Sequence, residues 1–489
     1  MHVTSLPSPY GVGDLGPEAY RFVDLLKKMG QGVWQILPLS ETMGPGGNSP
    51  YHSLSAFAGN PYLISPDLLV EDGWLKPRDL RPRPRFPQNR VAFPAVNEYK
   101  DRLFTIAYER FKKKPPPARF RQFCLDNQEW LDDFALFRAL KRSFPGKQWR
   151  EWPARIRDRD RATLKALALE LRGSIGKQKF LQFLFFKQWL ALKNYCHRKG
   201  VRVFGDMPIY VEYDSVDVWK DPQIFKLGSD HRPLFVSGVP PDYFSKTGQL
   251  WGHPVYDWQA LKRSGFRWWI KRLEQNLRLY DLVRIDHFRG LVAYWEVKAG
   301  ARNAMKGEWV EAPASELFDA FKRHFSGLSI VAEDLGTITP DVHQVMARYG
   351  IPGMRVLLFA FGEDDPWHPY LPENFVPHCV AYTGTHDNNT VRGWFEEDAL
   401  VADKGRLFKY LKKKVPVHKV HLEFIKMALG SEAELAIMPL QDVLGLGADA
   451  RMNDPAKPFG NWGWRLKPRQ LDRSAVRELA RMVRASRRS

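Results

Sequence analysis

Tyr280-Asp281-Leu282-Val283-Arg284-Ile285-Asp286 is a short run rich in branched and aromatic side chains that ends on a carboxylate. Such runs are typical of buried parallel strands. Two later stretches show the same pattern of an apolar run followed by a carboxylate. Residues 329–332 lead to Glu333, and residues 378–383 are followed closely by Asp387. The pattern therefore predicts parallel strands that each present an acid at the carboxyl end.

The predicted fold class is α/β, a (β/α)8 TIM barrel with helical and loop insertions. Strands of this barrel are expected near residues 33–37, 201–206, 282–286, 329–333, 354–361 and 379–383. In such a barrel the carboxyl ends of all the strands converge on one face. Asp286, Glu333 and Asp387 should therefore meet around one substrate.

This combination of acids suits chemistry on glycosidic bonds. Retaining cleavage uses one carboxylate as nucleophile and a second as acid and then base, at a separation of ~5 Å, and a third can hold ring hydroxyls. Arg284 stands two positions before Asp286, so both side chains leave the same face of a strand and the cation should keep Asp286 ionised. Glu333 must carry a proton to act as an acid, which requires a less polar setting.

With these motifs the sequence resembles the 4-alpha-glucanotransferases, the amylomaltase or disproportionating-enzyme family of the α-amylase clan. The resemblance covers nearly the whole chain. Its further motifs lie at residues 4–16, 34–39, 48–51, 55–61, 205–211, 238–244, 249–252, 451–453 and 461–462. It implies transfer of α-1,4-glucan segments between maltooligosaccharides by a retaining double displacement, without a cofactor or a catalytic metal.

The resemblance also implies roles for individual residues. Asp286 matches the family nucleophile, Glu333 the acid/base, and Asp387 the acid that stabilises the transition state. Arg284 and His386 match partners of these acids. The remaining expected substrate contacts are Tyr51 and Trp251, which match positions that stack on glucose rings, Asp206 and Asp242, which match polar positions nearer the cleaved bond, and the aromatic Phe359.

The chain divides by composition into three parts. Residues 1–70 are expected to form the N-terminal part of the barrel, residues 71–180 a mainly helical insertion, and residues 181–489 the remainder of the barrel. Helices are expected in the insertion at residues 98–112, 120–144 and 158–193. A second insertion at about 207–258 is expected to be loops that carry Asp242 and Trp251 to the cleft. Gly44-Pro45-Gly46-Gly47 suits a mobile rim loop.

The N-terminus departs from the family pattern. In the family a short apolar strand normally precedes the segment that begins here at His2, whereas this chain opens at Met1. We therefore expect the first barrel strand to be missing, and we interpret this as a start placed too far downstream or a truncated chain rather than as a working seven-stranded variant. A barrel that lacks one strand exposes two sheet edges.

Three other functions stay open at this stage. Gly11-Val12-Gly13-Asp14-Leu15-Gly16 matches the G-x-G-x-x-G turn of dinucleotide-binding dehydrogenases, but Pro7 and Pro9 fall where its strand would run. An α-glucan hydrolase would carry nearly the same acids. A catalytically silent glucan-binding protein would use the same cleft without turnover.

The net charge and the cysteines limit which partners and which cellular location can be expected. The net charge is +19, from 74 Lys and Arg against 55 Asp and Glu. No helix-turn-helix, zinc-finger or RNP pattern accompanies it, so we expect a solvated basic surface and no specific nucleic acid. The three cysteines show no C-x-x-C spacing, and neither a signal segment nor an apolar run of membrane length occurs, so a cytoplasmic enzyme without a membrane span is expected. The sequence contains no H-E-x-x-H, EF-hand or Walker A pattern, and it leaves the oligomeric state open.

Overall fold

The structure, a computed structural model, describes residues 1–42, 48–241, 245–486 and 488. The predicted rim loop at residues 44–47 and the predicted substrate residue Asp242 lie outside the described residues. The strands are β1 (Val33–Gln35), β2 (Arg202–Met207), β3 (Phe235–Val239), β4 (Gln249–Pro254), β5 (Leu282–Ile285), β6 (Ala293–Lys298), β7 (Glu308–Glu311), β8 (Ile330–Ala332), β9 (Gly353–Val356), β10 (Cys379–Tyr382) and β11 (Leu435–Ile437).

Helices surround these strands, with a large group between β1 and β2. They are α1 (Pro17–Lys28), α2 (Pro66–Glu71), α3 (Phe93–Phe111), α4 (Ala118–Asp126), α5 (Gln128–Ser143), α6 (Ala154–Arg157), α7 (Arg161–Glu170), α8 (Arg172–Arg198), α9 (Val216–Lys220), α10 (Trp258–Arg263), α11 (Arg267–Leu279), α12 (Ala314–His324), α13 (Pro340–Tyr349), α14 (Val391–Gly393), α15 (Val401–Leu411), α16 (Val420–Gly430), α17 (Leu440–Val443) and α18 (Arg473–Ala485).

Two parallel sheets make up the barrel wall. One has the strand order β1-β2-β5-β8 and the other β11-β10-β9. The amide of Ala332 in β8 donates to the carbonyl of Pro352, directly before β9, at 2.8 Å, which brings the two sheets edge to edge. The α/β class and the barrel-like arrangement predicted from the sequence are confirmed. Seven parallel strands, rather than eight, occur in the described part of the chain.

Most of these strands are buried along their length, as the apolar runs predicted. Every residue of β8 and of β10 is buried. Gly205 lets β2 pack closely on Tyr280, because a Cβ at this position would lie 2.1 Å from the Tyr280 ring. The Tyr280 hydroxyl in turn accepts the amide of Leu39 at 3.2 Å. Tight contacts of this kind fix how the strand ends that carry the site stand relative to one another.

The six predicted strands are all present, but their ends differ. The predicted strand 354–361 becomes β9 followed by a 3₁₀ turn, Leu357–Phe359, so the backbone leaves the sheet before Phe359. At the chain start, the terminal amino group of Met1 donates to Gln35 at 3.3 Å, and Trp34 Nε1 donates to the Met1 carbonyl at 2.7 Å. The first residues therefore lie against β1.

The region expected to be loops at about 207–258 contains regular structure instead. β3 and β4 form an antiparallel pair, and β3 also pairs with β6, giving a third sheet, antiparallel and of order β4-β3-β6-β7. The pairing of β3 with β6 joins residues that are distant in sequence, which a local pattern could not indicate. The sheet carries Trp251, on β4, toward the barrel mouth.

Helices occupy much of the region expected to form the insertion, and their bounds differ from those predicted. Predicted helix 120–144 is two helices, α4 and α5, that meet at Asn127, and predicted helix 158–193 divides into α7 and α8 at Leu171. α8 runs without a break from Arg172 to Arg198, so the predicted domain boundary near residue 180 falls inside a helix. It packs on α3 and α5 of the insertion and on α1 and β2 of the barrel. One apolar core accordingly joins the two parts.

The glycine-rich segment has a structural explanation. A 3₁₀ turn at Val3–Ser5 is the regular element described ahead of α1, so residues 6–16 contain no strand and the dinucleotide fingerprint is incomplete. Asp14 accepts the amide of Gly16 at 3.0 Å and lies 3.8 Å from the buried amine of Lys100. These contacts close the turn that leads into α1.

None of the described helices is both long and apolar enough to cross a membrane.

Candidate active site

The three acids predicted to react follow the carboxyl ends of parallel strands, two of them adjacent in one sheet and the third in the other. Asp286 directly follows β5, Glu333 directly follows β8, and Asp387 lies in the loop after β10. The amide of Asp286 donates to the carbonyl of Met207, and the amide of Glu333 donates to that of Ile285, each at 3.0 Å. The ladder of β2, β5 and β8 therefore continues to the acids and holds their backbones side by side.

Arg284 links the acids to the buried floor of the site. Its Nη2 lies 2.8 Å from Oδ1 of Asp286, and its Nη1 donates to both oxygens of Asp206, at 3.0 and 2.8 Å. The Tyr51 hydroxyl donates to Oδ2 of Asp206 at 2.8 Å. Arg284 and Asp206 are only 5% and 1% exposed at their side chains. Arg284 is itself buried, so it acts on the cleft through its contact with Asp286.

Asp206 differs from the expectation. The sequence resemblance placed it among the residues that contact substrate, but its side chain is covered by Tyr51 and Arg284. Successive side chains of a strand point to opposite faces, and that of Asp206 points into the barrel. There it lies beneath Arg284 of β5 and Tyr51 of the segment after β1. It can act on a substrate by positioning those two side chains.

The protonation of Asp286 reflects two opposed effects. Burial raises the pKa of its carboxyl to about 6, and Arg284 opposes this rise. The negative charges of Asp206 and Asp387 add to it. Arg284 is thus the cation that the sequence predicted beside Asp286, but burial has the larger effect on the pKa.

Glu333 has a higher pKa than Asp286. Burial raises the pKa of Glu333 to about 7, and the charge of Asp286 contributes, whereas Arg284 and two backbone amides oppose the shift. Those amides belong to His287, which donates to Oε2 at 2.7 Å, and to Leu335, which donates to Oε1 at 2.9 Å. Between pH ~6 and ~7 the site therefore favours an ionised Asp286 and a protonated Glu333.

His287 adopts an unusual backbone conformation. Its φ is 52°, in the left-handed region that residues with a Cβ rarely occupy. This conformation turns its amide toward Glu333. Its ring meets Trp251 edge to face, with centroids 4.7 Å apart. The unusual conformation at this position links the end of β5 to Glu333 at the end of β8.

Asp387 is the most exposed of the three acids, at 43% of its side chain. Nε2 of His386 lies 3.4 Å from its Oδ2, and Asn453 donates to its Oδ1 at 2.6 Å. Arg451 donates to its backbone carbonyl at 2.7 Å. Asn453 and Arg451 belong to a motif noticed in the sequence without a role. The resemblance was the signal for them, because their distance along the chain gives no hint of contact.

Aromatic side chains surround the acids. The Tyr51 ring stacks on His386 with centroids 5.3 Å apart, and Trp462 lies 5.8 Å from each. Phe359 meets Tyr370 edge to face at 5.5 Å. Burial raises the pKa of Tyr370 to about 12, and the charges of Asp334 and Glu333 add to the rise. Sequence reasoning identified neither Trp462 nor Tyr370 as part of the site.

The neighbouring acid Asp334 has a structural role. It accepts the amide of Met354 at 2.6 Å and contacts Arg355 at 3.1 Å, which ties β8 to β9. Asn388 likewise holds its own loop by accepting the amide of Thr385 at 2.8 Å. Both residues hold the backbone next to the acids.

Comparison with known proteins extends over the whole chain. A family model described as 4-alpha-glucanotransferase matches residues 1–472. The 4-alpha-glucanotransferase of Aquifex aeolicus is 47% identical over 96% of this chain and 94% of its own length. That of Thermus thermophilus is 45% identical over 100% of this chain and 98% of its own. A solved structure, amylomaltase from Streptococcus agalactiae in complex with acarbose, is 37% identical with a TM-score of 0.96 over 100% of this chain and 98% of that one.

Proposed function

Because the chain belongs to the 4-alpha-glucanotransferase family and is therefore a glycosyltransferase acting on α-1,4-glucans, we propose that Asp286, Glu333 and Asp387 carry out the transfer by a retaining double displacement. The observation that supports these roles best is the pair of coupled acids on adjacent strand ends. Asp286 is held by a cation and Glu333 by backbone amides, and the pKa of Asp286 is the lower of the two.

In the first step, Glu333 donates its proton to the glycosidic oxygen while Asp286 attacks the anomeric carbon. Arg284 holds Oδ1 of Asp286, so Oδ2 is the oxygen that forms the new bond. The carbon–oxygen bond to the leaving segment breaks, and that segment departs with the proton as a free 4-hydroxyl. The product is a covalent β-glucosyl enzyme.

In the second step, the 4-hydroxyl of an incoming glucan replaces the leaving segment. Glu333, now ionised, accepts the hydroxyl proton, the acceptor oxygen attacks the anomeric carbon, and the bond to Asp286 breaks. Two inversions restore the α linkage. Asp387, held by His386 and Asn453, is placed to grip hydroxyls of the distorted ring in both steps.

Transfer requires the acceptor sugar to outcompete water for the intermediate. Tyr51 and Trp251 offer apolar ring faces on either side of the acids, since Tyr51 contacts His386 and Trp251 contacts His287. A sugar that covers these faces excludes water and holds the acceptor hydroxyl in place. Maltooligosaccharides and longer α-1,4-glucans are the donors and acceptors that we propose.

Incubation with maltotriose distinguishes transfer from the two alternatives. We expect free glucose together with a ladder of longer maltooligosaccharides. Shortening without longer products would instead identify an α-glucan hydrolase. Binding of maltotriose without any product would identify a silent binding protein.

Two substitutions test the assignment of roles. Asp286→Asn should lower the rate by at least ~10⁴-fold with every donor, because it removes the nucleophile. Glu333→Gln should be similarly slow with maltotriose, yet it should show a rapid initial burst of fluoride from an α-maltosyl fluoride, whose leaving group needs no proton, before the second step, which uses Glu333 as base, limits turnover. The matched control is Asp364→Asn, an exposed acid paired with Lys409. Near-full activity of Asp286→Asn would refute the assignment.

A further inference from the structure

Three side chains beside the cleft form a cluster that the proposed reaction does not use. They are His52, Glu212 and His253, called here the His–Glu–His cluster. His52 follows Tyr51, Glu212 lies in the segment after β2, and His253 is on β4. They are far apart in sequence, so no metal-binding motif could reveal them. The fold brings them together.

The cluster has the dimensions of a metal site. Nδ1 of His52 lies 2.5 Å from Oε1 of Glu212, and Nδ1 of His253 lies 3.6 Å from the same oxygen. One potential ligand atom from each residue lies within 4.8 Å of the others. Metal–ligand bonds of ~2.0–2.2 Å need donor atoms roughly 3.3 Å apart. A small rotation of Glu212 away from His52 provides that spacing.

The carboxylate oxygen at the centre is poorly satisfied by the protein. Oε1 of Glu212 is buried and makes no hydrogen bond of good geometry with any described residue, although two imidazole nitrogens face it. A buried carboxylate oxygen without a well-aligned donor is costly. A cation between the three donor atoms removes that cost.

The surroundings hold the cluster in place. The Tyr210 ring stacks on His253 with centroids 6.3 Å apart, and Tyr210 is buried. Arg272 donates to the carbonyl of Ile209 at 2.8 Å, which anchors the backbone that leads to Glu212. Two of the three donors thus stand on fixed segments, as a metal site requires.

The donor set selects the kind of metal. Two imidazole nitrogens and one carboxylate oxygen suit Zn²⁺ and similar transition-metal dications. Ca²⁺ and Mg²⁺ prefer sites built from oxygen atoms alone. Three protein donors leave further coordination positions for water.

We propose that the His–Glu–His cluster binds one Zn²⁺-class dication and acts as a structural clamp on the cleft. The metal joins three chain segments: that of Tyr51, the one after β2, and β4. Trp251 lies two positions before His253 on β4. The metal therefore fixes the spacing between Tyr51 and Trp251 without entering the reaction.

Binding of Zn²⁺ to the purified, metal-free protein tests this proposal. We expect titration calorimetry to give one site at this cluster, and Zn²⁺, unlike Mg²⁺, to raise the melting temperature. Each of Glu212→Gln, His52→Gln and His253→Gln should weaken binding by at least ~10-fold. Loss of a residue that only supports a metal ligand already weakens binding by about this factor, and loss of the ligand itself should weaken it no less. Co²⁺ offers a second readout, since its visible spectrum reports nitrogen and oxygen ligands directly.

Two variants serve as matched controls. His378→Gln removes a His–Glu pair of similar length, 3.0 Å to Glu434, and among the described residues this pair is not part of a group of three potential metal ligands. Asp286→Asn reports whether metal binds at the catalytic acids instead. Both should bind Zn²⁺ like the wild type.

Two results would overturn the proposal. One is the absence of Zn²⁺ binding to the wild-type protein. The other is binding of equal strength in the three cluster variants. Circular dichroism checks that each variant is folded, and the three substitutions provide separate readings, so misfolding of one leaves two to decide.

Discussion

At the scale of single residues, the order in which two carboxyls titrate determines when the site can work. The pKa of Asp286 is raised to about 6 and that of Glu333 to about 7, in both cases mainly by burial. Arg284 opposes both shifts but touches only Asp286 directly. The ordinary pKa of Asp is already below that of Glu, and burial raises both values without reversing this order.

This order predicts a bell-shaped pH profile. As pH falls through about 6, Asp286 gains a proton and stops being a nucleophile, and as pH rises through about 7, Glu333 loses the proton that it must donate. We expect kcat/KM for maltotriose to decline on both sides of this range, since kcat/KM reports the free enzyme. With an α-maltosyl fluoride donor, the alkaline decline of the first step should be absent in Glu333→Gln. A profile that is flat through pH 6 and 7 would contradict the pairing.

Asp206 gives a prediction about stability at the same scale. Asp206→Asn removes one partner of a buried ion pair with Arg284 and should destabilise the protein by ~3 kcal/mol or more. It should also shift the acid limb of the pH profile to lower pH, because the charge of Asp206 raises the pKa of Asp286. Urea unfolding and the pH profile measure the two effects. Asp364→Asn is the control, at 68% exposure, and should change stability by less than ~0.5 kcal/mol.

The sequence could point to the acids that we propose to react, because each follows an apolar run directly or within one loop. It could not anticipate how they are supported. Asn453 and Tyr370 reach the site from distant loops, and the burial of Asp206 depends on Tyr51 covering it. Such contacts depend on tertiary packing rather than on local spacing.

At the scale of elements, two glycines with opposite surroundings test the packing. Gly205→Ala in β2 should destabilise the protein by ~1–3 kcal/mol, because the new methyl group overlaps the Tyr280 ring. Gly405→Ala should stabilise it by roughly 0.5–1 kcal/mol, since Gly405 is exposed inside α15 with nothing within 4 Å of a Cβ. Urea unfolding measures both. Equal effects of the two substitutions would show that β2 is not packed on Tyr280.

Element prediction succeeded where one strand or helix carries a strong local pattern. It was less successful for β11, which has only three half-buried residues, and for the antiparallel sheet, in which the pairing of β3 with β6 joins distant parts of the chain. The division of predicted helix 120–144 at Asn127 follows from local chemistry, because Asn127 bonds its side chain to the carbonyl of Phe123.

At the scale of the whole molecule, the helical insertion and the barrel share one apolar core. Phe104, Phe137 and Phe180 of the insertion belong to the same buried cluster as Val283 and Ile330 of the barrel. α8 passes through both parts without a break. The insertion therefore has no separate core with which to remain folded alone.

A single unfolding transition follows from this shared core. We expect thermal unfolding followed by far-ultraviolet circular dichroism, which weights the helices, to coincide with tryptophan fluorescence, which reports both parts. Fragments from limited proteolysis near residue 180 should not persist as folded species. Two separated transitions would indicate that the insertion and the barrel are independent units.

The left-handed turn at His287 has a consequence for how this site can change over time. The contact to Glu333 comes from the main chain, so replacing the imidazole leaves the donor itself in place. What the position demands is a tolerance for positive φ, which glycine has fully and asparagine in part. Substitution at this position is thus limited by backbone conformation more than by side-chain chemistry. A branched residue such as valine is the kind of replacement that would break the hydrogen bond from this amide to Glu333.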